Sequence, residues 1–538
     1  MPHAPSSAPP LLSAEAMRAA DAFTIEDLGL PGRVLMESAG RAAADRIAEA
    51  FGPLGGQTVA VLCGKGNNGG DGLVVARQLW ARGAGLVRVV ASSEDFSEDA
   101  AANARLLDKL RAEANGDRLV LETVDDPDAL DALPATADVL VDALLGTGLT
   151  SALREPVASL VGWVNEHDAP TAALDVPTGL QSDTGAVLGE AVCADLTVTM
   201  GARKTGLAMR EGPSCTGRVA VAEIGIPAFA LRRPAAEGQA GCAFLTTDEA
   251  VGRWLPERTH EAHKYRVGMA LVIGGAPGMT GAAVMSSEAA ARAGAGYVAC
   301  ACPEGARGAL NAHLTSVPIT ALPRQSAGRG GLDARAALDA LSGQLDKAGG
   351  LLVGPGLGTA DGTARFVRLL LEETDVPAVI DADGLNALAG QRDAWFETHS
   401  QGRWVLTPHA GEFARLTGTE NPDLSDRLRA AQEHAQRWGC TLVLKGFPSV
   451  VAGPEGRAHV GSTGSPALAT AGTGDVLAGQ CVGLLAQGVL PVEAAATALH
   501  VGGAAAERYG ATHDSRSMAA TDLLDMIPRV AAERFAPR

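Results

Sequence analysis

Aromatic residues are scarce in this chain of 538 residues: Phe, Trp and Tyr together make up 4% of it. That scarcity argues against the stacking platforms on which single-stranded nucleic acids lay their bases. Positive charge is also short, with 44 Lys and Arg against 62 Asp and Glu and a net charge of −18. Binding to a phosphate backbone rests on clustered cations that release counterions, so a nucleic-acid partner is not expected. Small anions remain possible ligands, because backbone N–H groups bind phosphate without net positive charge. None of the eight cysteines, at positions 63, 193, 215, 242, 300, 302, 440 and 481, stands in a C-x-x-C pair. This spacing predicts buried, reduced thiols in a cytoplasmic enzyme. The N-terminal MPHAPSSAPPLLSAEAMRAAD has no basic stretch leading into an apolar core, so a signal peptide is not expected. The most apolar late segment, 476–492, contains Gln480, Gln487 and three glycines and falls short of a spanning length, so no membrane anchor is expected either.

What is present is a long alternation of apolar β-type runs with Ala-rich helical patterns, the mark of parallel sheets covered by helices. The length predicts two or more domains. In the first half the strands are expected at 57–63, 86–91, 119–124, 138–144, 171–176, 195–200 and 218–224, behind a helical segment 14–50 interrupted at Gly29 to Gly32. A stretch rich in Pro, Ala, Gly and charge, IPAFALRRPAAEGQAG, shows no period and reads as a linker over 229–244. The alternation then restarts at 269–275, 297–302, 351–358, 378–384, 403–408, 441–446 and 449–453 and ends in a helical region after Gly474; SAGRGG at 326–331 reads as a surface loop. The expected organisation is two different α/β domains, 13–228 and 245–535.

In the first domain Gly64, Gly66 and Gly69 spell G-x-G-x-x-G inside VLCGKGNNGGDG. A dinucleotide turn also needs an acidic residue closing the second strand to hold the ribose, and here Ser92 and Ser93 stand there. A phosphate-binding Lys-Ser or Lys-Thr is missing as well, since Gly70, Asp71 and Gly72 follow Gly69. The loop is notable instead for polar density. Asn67, Asn68 and Asp71 occupy a strand-to-helix turn, Asp142 ends the strand of VDALLGTGL before a Gly146-Thr147-Gly148 nest, and Asp175 ends the strand of LDVPTG ahead of Pro177 and Thr178. A helix cap or a turn explains any one of these, but three polar strand ends in one parallel sheet point to a crevice site. Their oxygens are hard ligands, so Asn68, Asp142 and Thr178 could share a cation, whose identity the spacing leaves open.

In the second domain Gly472-Thr473-Gly474-Asp475 opens an apolar helix. Free N–H groups and the helix dipole there stabilise charge on a transferring phosphoryl group. Asp475 in the first turn is within reach of a substrate hydroxyl, although an Asp at that place also serves as a plain cap. Lys445 follows a strand, with Gly446 and Ser449 as phosphate contacts, and VIDADGLNAL and LTPHAGEF bring Asp383, Asn386, His409 and Glu412 to the same edge. His409 has no second His or Cys at ligand spacing, and His260 and His263 have no third partner, so zinc is not expected.

GKGNNGGDG, VDALLGTGL, LDVPTG, TMGARKTGL and LMESAG strongly resemble the NAD(P)H-hydrate epimerase domain, a Rossmann-like three-layer sandwich. The resemblance implies hydrate binding at Asn67, Asn68, Gly69, Gly70 and Asp71, along Gly146, Thr147, Gly148, Leu149, Thr150, Ser151 and Ala152, and at Asp175. It also implies potassium at Asn68, Asp142 and Thr178, Asp175 as acid/base and Lys204 as its helper. Thr178 replaces the usual Ser, and Ser151 lies in a loop that often carries Arg. The motifs of the second half, with VIGGAPGMTGAAVMSSEAAARAGAGYV and VGPGLG, strongly resemble the ADP- or ATP-dependent NAD(P)H-hydrate dehydratase, a ribokinase-like fold. This implies hydrate binding at Ala282, Gly356, His409 and Asp475, with Asp475 as base. Adenine nucleotide binding is implied at Lys445, Gly446, Phe447, Pro448, Ser449 and Gly474, with Mg2+ on the nucleotide phosphates. The expected substrates are NADHX, NADPHX and ADP or ATP, in a chain that assembles with copies of itself. A ribokinase-like small-molecule kinase fused to a nucleotide-binding module is the other reading; it would release a stable phosphate ester.

Overall fold

A computed structural model describes residues 8–113, 118–124, 126, 136–258, 260, 261, 263–325 and 330–535. The start of the segment examined for a signal peptide and most of SAGRGG lie outside them. The chain divides into two compact units, Pro9–Ala236 with Gly241–Ala243, and Glu237–Ala240 with Phe244 onward.

The first unit contains β1 (Pro10–Leu12), β2 (Thr58–Cys63), β3 (Leu86–Ala91), β4 (Leu119–Thr123), β5 (Val139–Ala143), β6 (Thr171–Leu174), β7 (Leu196–Met200), β8 (Arg203–Lys204) and β9 (Arg218–Ala222). Seven of them form a parallel sheet in the order β4-β3-β2-β5-β6-β7-β9. The runs VLVDA of β5 and LTVTM of β7 are buried throughout, as strands covered on both faces must be. Connection order reverses between β2 and β5, which leaves a crevice at their carboxyl ends. The N-terminal segment folds as the helix Ala14–Ala22, a π-helical turn Phe23–Asp27 and the helix Gly32–Phe51. Ser13 caps the first of these by accepting from Ala16 N at 3.2 Å.

The second unit contains β10 (Ala243–Thr246), β11 (Met269–Ile273), β12 (Tyr297–Pro303), β13 (Ile319–Leu322), β14 (Gly350–Val353), β15 (Ala378–Ile380), β16 (Trp404–Leu406), β17 (Thr441–Leu444), β18 (Val450–Ala452) and β19 (Ala458–Gly461). The order is β13-β12-β11-β14-β15-β16-β17-β18-β19-β10. Pairing is parallel from β13 to β17 and antiparallel for β17-β18 and β18-β19. The reversal here falls between β11 and β14. The helices Thr280–Arg292 and Thr473–Ala486 pack together closely, and Asp475, Gly479 and Gly483, spaced by four, lie on the shared face. A Cβ at Gly479 would stand 2.3 Å from Ser286 O and one at Gly483 2.6 Å from Ala290 O, so only glycine permits this approach.

The secondary structure departs from the sequence reading in several places. The stretch read as a linker carries the helix Ala228–Ala236, in which Leu231 and the fully buried Ala235 share a face. Pro234 inside that helix is what read as a breaker. The antiparallel turn of the sheet at β18 was not expected, nor were the strands β1, β8, β10, β13 and β19. Seven cysteines are buried as expected, but Cys193 is exposed.

Candidate active sites

A cavity of about 520 Å3 opens at the β2/β5 crevice. Its wall comes partly from the loops after β2, β5 and β6 and partly from the N-terminal helices, which contribute Met17, Arg18, Asp21, Leu35 and Met36. Asn67, Asn68, Asp71, Gly146, Thr147, Gly148, Asp175 and Lys204 all line it. Asp175 holds a left-handed backbone, φ 65°, a conformation uncommon outside glycine that holds its side chain over the end of β6. Its Oδ1 accepts from Lys204 Nζ, from Met200 N at 3.2 Å and from Thr199 Oγ1 at 3.4 Å. Lys204 is 1% exposed. Its ammonium also donates to Met200 O at 2.7 Å and to Ala202 O at 3.2 Å, so it is held rigidly. With Oδ1 loaded, Oδ2 is the oxygen turned toward Gly146, 3.3 Å from where a Cβ there would stand.

Behind this wall sits buried Asp142. Its Oδ1 accepts from Thr178 Oγ1 at 2.7 Å and Leu144 N at 3.1 Å, and its Oδ2 from Thr178 N at 2.8 Å. Burial pushes its pKa up to about 6 in spite of those hydrogen bonds. Asn68 has a buried side chain whose Oδ1 and Nδ2 find no hydrogen-bond partner among the described residues. An orphaned amide oxygen, a desolvated carboxylate and a hydroxyl form a donor set that fits a hard cation.

Gly69, Gly70, Leu149, Thr150, Ser151 and Ala152 do not reach the cavity lining. Gly69 and Gly70 serve packing: a Cβ at Gly69 would fall 1.7 Å from Gly64 O, and one at Gly70 2.6 Å from Met36 Cε. Leu149 is buried, while Thr150, Ser151 and Ala152 are exposed at the loop's outer end. Sequence reasoning missed Asp21, whose carboxyl is pushed up to about 6 by burial, against the pull of Lys204, with a further push from Asp175. Asp71 is raised as well, chiefly by burial and then by Asp175. The signal for Asp21 was available: it is the one charge on the stripe of Ala14, Met17 and Thr24 that the N-terminal helical segment buries.

In the second unit successive strand ends converge. Lys445, after β17, donates from Nζ to Asp381 Oδ1 at 2.9 Å and lies 3.7 Å from Glu412 Oε2. Thr407, after β16, donates to the same Asp381 oxygen at 2.7 Å. His409 and Glu412 form a reciprocal cap on the helix Ala410–Thr417: Glu412 Oε2 accepts from His409 N at 2.8 Å, and His409 Nδ1 accepts from Gly411 N at 3.0 Å. Facing them is Gly474, whose missing Cβ would stand 3.5 Å from Lys445 Nζ, and next to it Asp475. Ser286 Oγ donates to Asp475 O at 3.1 Å, tying this turn to the helix that carries Ala282 one turn earlier. Gly356, φ 58°, packs against that helix, its Cβ position 3.3 Å from Ala282 Cβ. Burial and then Asp381 push Asp475 up to about 6, while Lys445 pulls it down. Gly446 N donates to Ser449 Oγ at 3.2 Å, closing a turn from which Phe447 projects 66% exposed. Sequence reasoning singled out Asp383 in VIDADG; the structure gives Asp383 to Gly358 N at 2.8 Å, and it is Asp381 that meets Lys445. Ala382, with φ 49°, turns the chain between the two.

A polar, carboxylate-rich crevice at the β2/β5 reversal, and a lysine near a helix-opening aspartate at the ends of β15 to β17, define a two-domain α/β enzyme. Its first domain is Rossmann-like and its second ribokinase-like. Residues 32–206 match the YjeF-related protein N-terminus, and residues 270–529 match the family described as NAD(P)H-hydrate dehydratase. The chain is 59% identical over 531 residues to the bifunctional NAD(P)H-hydrate repair enzyme Nnr of Salinibacter ruber, covering 98% of this chain and 97% of that one. It is 39% identical to the same-named enzyme of Moorella thermoacetica, covering 97% and 96%. Among solved structures, the ADP/ATP-dependent NAD(P)H-hydrate dehydratase from Bacillus subtilis, co-crystallised with ATP and Mg2+, is 29% identical; it covers 54% of this chain and 98% of its own, with a TM-score of 0.45. The chain belongs to the family of bifunctional NAD(P)H-hydrate repair enzymes.

Proposed function

We propose that this chain repairs NADH and NADPH hydrated at nicotinamide C6, the first unit interconverting the R and S hydrates and the second dehydrating the S form with ADP or ATP. The observation that supports this best is the joint presence in one chain of a carboxylate-lined crevice and a base set beside a phosphate-binding turn. In the second site Asp475 takes the proton of the C6 hydroxyl as its oxygen attacks the terminal phosphoryl group. Lys445 and the N–H groups opening the helix Thr473–Ala486 face the charge that develops. The phosphate ester then leaves C6, a C5 proton is lost and the dihydronicotinamide is restored. Ala282, Gly356 and His409 hold the hydrate, and the turn 445–449 with Gly474 holds the nucleotide; Mg2+ travels on its phosphates.

In the first site Asp175 acts as acid/base at the C6 hydroxyl, with Lys204 fixing its Oδ1, while the nucleotide lies along Asn67 to Asp71 and Gly146 to Ala152. Asn68, Asp142 and Thr178 would hold potassium, whose charge would balance Asp142 and help to order the loop after β5. A cytoplasmic location and assembly with copies of itself belong to this reading. No helix among the described residues is long and apolar enough to cross a membrane.

The test follows recovery of NADH absorbance from mixed R and S hydrate with ADP or ATP. Asp475→Asn should abolish recovery, whereas Asp175→Asn should consume the S hydrate fast and leave the R hydrate at its spontaneous rate. Accumulation of a stable phosphate ester without NADH would instead make the second unit a small-molecule kinase.

A further inference from the structure

The epimerase reading leaves one carboxyl in the first cavity without a task. Asp21 lies on the helix Ala14–Ala22, on the stripe that the helix turns inward with Ala14, Met17 and Ala20, all buried. A charge there is costly unless something compensates it. Its carboxyl makes no hydrogen bond with any described residue, yet it lines the cavity together with Asp71 and Asp175. Asp21 is half-buried, and its carboxyl opens to the cavity rather than serving as a cap or an ion-pair partner.

The position matters as much as the burial. The cavity is walled by strand-end loops, which carry Asp175, and by the N-terminal helices, which carry Asp21. A π-helical turn, Phe23–Asp27, follows directly on the helix that bears Asp21, a local irregularity often found at functional sites. Each wall thus contributes a carboxyl to the same cavity.

Resting on the epimerase reading of this cavity, we propose that Asp21 is the second proton-transfer residue of the epimerisation, working across the nicotinamide ring from Asp175. The chemistry requires two groups. In the R-to-S direction Asp21 gives its proton to the C6 hydroxyl; the C6–O bond breaks with both electrons going to oxygen, water leaves, and the N1 lone pair forms an N1–C6 double bond. Water then adds to C6 from the other face. Its oxygen supplies the new bond, the double-bond pair returns to N1, and the surplus proton passes to the second carboxylate. The two carboxyls have exchanged a proton through the substrate, and the reverse reaction or solvent resets them.

The charged neighbours suit this sharing of one proton. Asp21 faces Lys204 at β8, Asp175 after β6 and Asp71 on the helix Asn67–Ala81, with Arg18 on its own helix and Asp99 on the cavity wall. The helix Ala228–Ala236, packed against it, carries Arg232 and Arg233. Burial raises Asp21 to about 6, so it holds its proton below that pH and loses it above.

The full-length protein tests this directly. Pure R hydrate is supplied with ATP and Mg2+, so that NADH appears only as R becomes S; dehydration of pure S hydrate on the same samples reports the second unit. Asp21→Asn is expected to lower kcat for R conversion about 100-fold or more. It should also erase the limb on which activity falls as pH rises past about 6. Conversion of R within threefold of wild type overturns the assignment, and so does a loss confined to KM with that limb intact. If Asp21→Asn does not fold, Asp21→Glu decides: a displaced limb supports the assignment and an unmoved limb overturns it. A wild-type chain that leaves R hydrate at its spontaneous rate removes the epimerase reading and this inference together, whereas the variant outcomes remove the inference alone.

Discussion

Lys204 carries a heavy electrostatic load for a single side chain. It is the buried cation facing Asp175, Asp71 and Asp21, and it lies in the ion pair with Asp175. Replacing it with Met leaves three carboxyls facing one another in a desolvated cavity. Lys204→Met is therefore expected to abolish R-to-S conversion and to destabilise the first unit by about 3 kcal/mol, measured by urea denaturation. The pH dependence of dehydration follows from Asp475. Its raised pKa, about 6, means the base is protonated and idle below that value. kcat/KM for S hydrate should rise tenfold per pH unit on the acid side and level off above about 6. Asp381 is the second cause of the shift, after burial, so Asp381→Asn should move this limb to lower pH even as the loss of a partner for Lys445 lowers the rate. Asp175, Asp475 and Lys445 were legible in the sequence because Asp175 and Lys445 each follow an apolar strand and Asp475 opens an apolar helix, all beside glycine in a local motif. Asp381 was not, because it differs from Asp383 only through the backbone turn at Ala382, and Asp21 shows only as the lone charge on a buried helical stripe, outside any local motif.

At the scale of elements, the second site depends on how closely two helices approach. Asp475 is fixed through its backbone by Ser286 because Gly479 and Gly483 let the helices Thr473–Ala486 and Thr280–Arg292 come together. Gly479→Ala puts a methyl group 2.3 Å from Ser286 O and must push the helices apart. The expected result is a loss of about 1 to 3 kcal/mol in the stability of the second unit and a fall in dehydration kcat, with R-to-S conversion unchanged. The strand pattern was largely legible for the same reason that the sheets are buried on both faces: runs such as VAVLC and MALVI have no polar side to confuse the reading. What escaped included the edge strand β13 and the antiparallel part of the sheet. β13 and β19 span four residues each, and the reversal at β18 rests on turns rather than on any hydrophobic period.

At the scale of the whole molecule, each unit has a sheet and buried core of its own, so a ligand should stabilise the unit that binds it. ATP with Mg2+ at 100 times its Kd is expected to raise the stability of the second unit by about 2.7 kcal/mol. Calorimetry of the full chain should then show one transition moving with ATP while the other stays; a single transition moving as one would count against separate responses. The distribution of sulfur offers a further handle. Cys193 is exposed and the other seven thiols are buried, with Cys63, Cys440 and Cys481 pushed up by burial out of the reactive range. A maleimide should therefore add to the native protein once, at a position in the first unit, and reach all eight sites only as the chain opens. Counting adducts by mass over time turns the native cysteines into a clock for unfolding, and the peptides that acquire label first report which unit opens before the other.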